Sequence, residues 1–322
     1  MKPRIIIHPG LPKCATSAIQ RAFVIHDHAL ARALGLDFIS ADFRINAGYP
    51  DVIKVMDDPD GYREALAAAE FPDGRYFLSS EALLGIDPSI FCDRFEVERW
   101  AVTVRAPFLQ SLSNYRFSGW VSGGFKTWSA KRANHFDAAA GRQVDKVSRL
   151  KPLPGRLMLV ALESAQAGVV SHFCTEVFER RPAVLDEIDS GAQAQVNASI
   201  SFALADALGR RLEQSGTGAV SVALRRRLVK AAQAFETPED LRSLAPAAFA
   251  EEWSHYTGDA LQRYRELLAL GQDNAGREAA LDAAESKIMA ALAAPVADAH
   301  QLARLDDHAE QIIDTCLAAS TD

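Results

Sequence analysis

The sequence predicts an α/β fold: a mostly parallel central sheet with helices over it, followed by an all-helical C-terminal region. Three observations predict it. Five short apolar runs, at residues 4–8, 36–40, 75–80, 99–105 and 156–162, alternate with helical patterns at about 16–33, 60–70, 107–119 and 164–180. Strands that alternate with helices build a parallel sheet covered on both faces. From Asn197 onward the chain is alanine-rich and helical in its spacing. The predicted organisation is therefore an α/β core over 1–196 and a helical region over 197–322 packed on that core.

The first run, Ile5 to Ile7, breaks at Pro9-Gly10, and a helical pattern starts near Ala15. Lys13 and the adjacent hydroxyls Thr16 and Ser17 lie at the junction. A strand, a tight loop and a helix N-terminus in that order make an anion site. The first backbone N–H groups of the helix have no partner within it, and its dipole favours negative charge there. The third run, from Arg75, ends in the polar triplet Ser79-Ser80-Glu81. The fourth ends at Arg105; Ala106-Pro107 stops it, and proline suits the first turn of a helix that would carry Ser113, Tyr115 and Arg116. The fifth ends in Leu162-Glu163-Ser164.

The helical region is divided by Pro295 and by the stretch Gly271 to Gly276. Its last two helices, at about 277–294 and 296–318, carry Leu281, Ile288 and Leu292, then Leu302, Leu305, Ile312 and Ile313 at helical spacing. A hairpin packed on the core and a homodimer contact are the two readings of these stripes. Asn197-Ala-Ser199 reads as a helix N-cap, and Arg225-Arg-Arg227 as a solvated helix face.

A chain of 322 residues allows one large or two smaller domains, and 48% hydrophobic with 24% charged residues is ordinary for a globular protein. The net charge of −7 sits at the end: residues 273–322 hold ten acidic and three basic side chains, and the rest of the chain has 32 of each sign. A nucleic-acid-binding protein would carry a basic surplus, so none is expected as a partner. No run is apolar enough to span a bilayer. The apolar run behind Lys2 and Arg4 is too short for a signal peptide, and the four cysteines form no CxxC pair. A cytoplasmic location with free thiols is the expectation. Cys14 differs from the other three. Beside a lysine and a helix N-terminus, its thiol is expected to have a lowered pKa and to alkylate fastest.

The opening loop is not a Walker A motif, because Ala15 and Thr16 stand where that motif needs glycine and lysine. Gly10-Leu11-Pro12-Lys13-Cys14-Ala15-Thr16-Ser17 instead resembles the 5′-phosphosulfate loop of the sulfotransferases, G-x-P-K-[ST]-G-T-[TS], with Cys14 for the hydroxyl residue and Ala15 for the second glycine. These enzymes use 3′-phosphoadenosine 5′-phosphosulfate (PAPS) as sulfuryl donor. The resemblance extends to Arg105 and Ser113, whose eight-residue spacing matches the family's grip on the 3′-phosphate. An arginine fork suits a phosphate. The likeness covers about the first 180 residues. It implies a P-loop-NTPase-like three-layer fold whose nucleotide-binding core holds PAPS as co-substrate without a metal. Pro12, Lys13, Cys14, Ala15, Thr16, Ser17, Arg105 and Ser113 would bind it.

Sulfuryl transfer needs positive charge where the leaving phosphate develops, and Lys13 is placed for that. The acceptor, a hydroxyl or amine, must lose a proton. Several sulfotransferase subfamilies resemble this chain in having Ser-Ser-Glu after a strand with the glutamate as base, which makes Glu81 the candidate. Its bland reading is a helix cap at Ala82. Lys13 has its own bland reading, a solvated loop lysine. His8, at the end of the first strand, reads as structural. The segment 118–149 mixes Trp120, Phe125, Trp128, His135 and Phe136 with Lys126, Lys131 and Arg132. It would either wall an acceptor pocket or simply pack over the sheet edge. The acceptor class, whether small molecule, glycan, lipid head group or peptide, is open. The rival functions are a P-loop-type kinase using ATP and Mg²⁺, and a nucleotide-binding or scaffold protein that has lost turnover.

Overall fold

The computed structural model describes residues 2–40, 42–47, 58–121, 143–165, 168–190, 200–215, 220–246, 257–272 and 276–318. The Asn197-Ala-Ser199 segment lies outside these residues. So does most of 118–149, including Phe125, Lys126, Trp128, Lys131, Arg132, His135 and Phe136.

Five parallel strands form one sheet: β1 (Arg4–Pro9), β2 (Asp37–Ile39), β3 (Arg75–Ser80), β4 (Glu96–Val104) and β5 (Arg156–Ala161), in the order β2-β3-β1-β4-β5. β1 is central, and Ile5, Ile6 and Ile7 are fully buried. That burial explains why it reads as a continuous apolar run rather than an alternating one. β4 begins three residues before the run that announces it. Glu98 in this extension is held by Arg75 at 2.7 Å and Arg4 at 3.4 Å. The chain leaves β1 toward β3 and β2, whereas it leaves β4 toward β5. The carboxyl edge between β1 and β4 is thus a topological switch point, where open α/β sheets bind ligands.

On one face of the sheet Ile6, Phe77, Ala101 and Val160 pack with helix α1 (Thr16–Ala33) and with the helices Val169–Phe178 and Val184–Ser190. Phe23 of α1 meets Phe77 at a ring distance of 4.2 Å. On the other face Tyr62 of helix Pro59–Ala68 reaches Phe91 of helix Ser89–Arg94, which reaches Trp100 of β4. Helix Pro59–Ala68 starts where it does because Asp58 accepts from the Gly61 N–H at 2.9 Å and proline occupies the first turn.

α1 is not the unbroken helix its spacing predicts. Ile25 is extended and His26, Asp27 and His28 are left-handed, at φ 51°, 50° and 57°. His28 Nδ1 donates to the Phe23 carbonyl at 3.0 Å, which satisfies a carbonyl freed by the break. The predicted helix over 164–180 also begins later, at Val169, because Leu162–Ser164 forms a 3₁₀ turn after β5.

By internal packing the chain divides into two compact units. The first combines Met1–Ala106, Gly141–Val196 and Gln262–Ala284; the second combines Pro107–Ala140, Asn197–Leu261 and Glu285–Asp322. The first holds the sheet. The second is built from helices that include Pro107–Ser118, Phe202–Gln214, Val222–Ala234 and Ala299–Ala318. There Ser201 and Ser221 cap their helices by accepting from Leu204 N–H and Leu224 N–H, each at 3.2 Å. Leu305, Ile312 and Ile313 of the last helix are buried, and Arg210 bonds Asp206 at 2.5 Å and Asp306 at 2.9 Å. Arg225 and Arg226 are exposed on helix Val222–Ala234. No helix among the described residues is long and apolar enough to cross a membrane.

Candidate functional site at the carboxyl edge

The loop after β1 is shaped by close approaches. The Gly10 N–H donates to the Ser80 carbonyl at 3.3 Å, tying the loop to the end of β3. A Cβ on Gly10 would lie 2.1 Å from Thr16 Oγ1, so only glycine fits there. The Cys14 N–H closes a turn onto the Leu11 carbonyl at 3.2 Å. Lys13 and Ala15 both adopt left-handed backbone, at φ 61° and 60°. Ala15 is the residue before α1 and offers its first turn no side-chain cap. Thr16 is buried and its hydroxyl turns back to the Leu11 carbonyl at 3.4 Å, whereas Ser17 is half-buried and Pro12 exposed.

Strand pairing sets the next residue. Pro9 is in register with Ser80, so Glu81, the first residue after β3, stands beside the lysine loop. Helix capping does not occupy it: Ser80 Oγ accepts from the Ala82 N–H at 3.2 Å. Lys13 and Glu81 sense each other. Burial pulls the Lys13 ammonium down to about 8, with Glu81 opposing the shift. Burial likewise raises the Glu81 carboxyl, with Lys13 opposing. Lys13 is therefore half-buried rather than fully solvated, and so is Glu81 at the neighbouring strand end.

Across the switch point, Arg105 follows the last residue of β4 and keeps about a third of its side chain exposed at 32%. Its Nε lies 3.8 Å from Glu163 Oε1 in the turn after β5. Glu163 is buried. Its Oε1 accepts from the Ala106 N–H at 3.2 Å, and its Oε2 from the Tyr264 hydroxyl at 2.6 Å. Tyr264 was invisible to sequence reasoning because nothing in its helix, Thr257–Leu268, marks it; Glu163 reads from sequence only as a fold position. Ser113 lies half-buried on helix Pro107–Ser118 in the second unit.

Cys14 reverses its expectation. The thiol is fully buried, and burial pushes its pKa far up, although Arg105 pulls the other way. The cation and the helix N-terminus that should activate it are outweighed by loss of water. Its value to the site is volume, not nucleophilicity. His8 is equally enclosed: its Nδ1 lies 2.8 Å from Ser79 Oγ and its Nε2 3.0 Å from Thr103 Oγ1, and burial lowers it to about 3. A neutral imidazole between two hydroxyls is structural.

The first unit thus brings to one edge of the sheet Lys13 after β1, Glu81 after β3, Arg105 after β4 and Glu163 after β5. Two cations and an uncapped helix start can hold an anion, and a carboxyl with raised pKa beside them can take a proton. The chain matches no protein-family model, no curated protein and no solved structure.

Proposed function

We propose that the chain is a PAPS-dependent sulfotransferase, of P-loop-like fold, acting on a hydroxyl or amine acceptor. The observation that carries this is the placement of Lys13 after β1, Glu81 after β3 and Arg105 after β4 at one carboxyl edge, on the two sides of the switch point. Lys13 and the N–H groups at the start of α1 would hold the 5′-phosphosulfate, with Thr16 and Ser17 at the same turn. Arg105 would take the 3′-phosphate. Glu81 accepts the acceptor proton as the new bond to sulfur forms and the bond from sulfur to the 5′-phosphate oxygen breaks. Lys13 meets the charge that develops on that oxygen. The products are a sulfated acceptor and 3′,5′-adenosine bisphosphate. Burial raises the proton affinity of the Glu81 carboxyl, which favours its role as base.

Calorimetry tests this. Binding of 3′,5′-adenosine bisphosphate in EDTA, tighter than ADP under any condition, is the expected result. Tighter binding of ADP that requires Mg²⁺ would assign the site to a kinase. Bisphosphate binding without sulfate transfer to any of a panel of sugars, phenols, lipids and amines would leave a nucleotide-binding protein without turnover.

A further inference from the structure

The buried contacts behind Arg105 carry an inference that rests on the proposed function and deepens it. Glu163 has both oxygens engaged and is 1% exposed, so its position is fixed. A buried carboxyl of this kind is an expensive way to fill space, since well-packed apolar groups usually serve stability as well or better. Arg105 lies beside it. At 3.8 Å the contact is an ion pair beyond hydrogen-bond length. Glu163 can therefore orient the guanidinium by charge without spending that N–H on a hydrogen bond. The phenol that holds Glu163 comes from 101 residues further along the chain.

We infer that Tyr264 is a positioning residue: its hydroxyl fixes Glu163, and Glu163 in turn aligns Arg105 for the 3′-phosphate of the donor. Burial and the neighbouring glutamate keep the phenol protonated, so it remains a donor across the working pH range.

The test compares 3′,5′-adenosine bisphosphate with adenosine 5′-monophosphate, which differ only in the 3′-phosphate, by calorimetry on the full chain. The wild type should prefer the bisphosphate. Tyr264→Phe should shrink that preference about tenfold, the scale of one hydrogen bond to a charged group, with monophosphate affinity unchanged. A purely structural tyrosine would weaken both nucleotides alike. If Tyr264→Phe does not fold by circular dichroism, Glu163→Gln serves the same comparison, because it keeps an acceptor for the phenol and removes the charge that aligns Arg105. A wild type with no preference sinks the proposed function and this inference with it. A preference that survives in the folded variant overturns the inference alone. Parallel loss of both nucleotides, or failure of both variants to fold, assigns the contact to stability and also overturns it.

Discussion

Ala15 stands where the resembled loop has glycine, and the structure holds it at φ 60°, ψ 14°. An L-residue in this region costs roughly 1–2 kcal/mol, which glycine avoids. Glycine returns part of that gain, roughly 0.4–1 kcal/mol, through the larger freedom of the unfolded chain. Ala15→Gly should therefore stabilise the first unit by about 0.5–1 kcal/mol. Hydrogen exchange read by mass spectrometry on peptides covering 4–24 isolates this unit from the helical one, and amides that exchange by its cooperative opening should slow by roughly two- to fivefold. Ala22→Gly is the control. Ala22 is buried at 2% in regular helix, where the same change costs about 1 kcal/mol and speeds exchange. If Ala15→Gly also speeds exchange, the left-handed strain assigned to this loop is absent and the reasoning fails.

Three further outcomes follow from the buried groups. Glu81→Gln removes the charge that supports Lys13, so the lysine should titrate below its present value of about 8; NMR of the lysine side chain would show it. Near pH 6.5 the variant should still bind the bisphosphate but fail to turn over, and full turnover would remove Glu81 as the base. His8 is held below its unfolded value, so neutral His8 contributes stability fully above pH 6.5 and loses it as pH falls toward about 3. That window is worth on the order of 5 kcal/mol, of which about 3 should be lost by pH 4.5. Denaturant titrations of wild type and His8→Gln at both pH values would read the difference, and identical pH slopes would refute it. Cys14 should resist iodoacetamide until the protein is unfolded, whereas half-exposed Cys92 should label in the native state. Rapid labelling of Cys14 at neutral pH would show that the loop is open.

Strand positions were legible because a strand covered on both faces is apolar at nearly every position, as Ile5 to Ile7 of β1 and Trp100 to Val102 of β4 show. The ends of β3 and β4 were legible too, because the polar triplet Ser79-Ser80-Glu81 closes one apolar run and Arg105 the other. Local rules failed where distant atoms decide. Lysine and helix N-terminus argue for an acidic Cys14, yet the packing that dehydrates it comes from the fold as a whole. His26-Asp27-His28 contains neither glycine nor proline, so nothing local announces the break in α1. Tyr264 finds Glu163 across 101 residues, a pairing that no spacing rule can supply.

The imidazole wedged between Ser79 and Thr103 has a consequence for folding fidelity. β1 and β4 change their pairing between Ile5 and Ile6, and an apolar strand such as β1 could slide by one residue with little loss of burial. His8 removes that freedom. Any neighbouring alignment would carry its two nitrogens away from both hydroxyls and leave them unsatisfied in the middle of the sheet. One polar side chain thereby selects a single alignment of the three central strands, and the loop that follows it starts from a defined place.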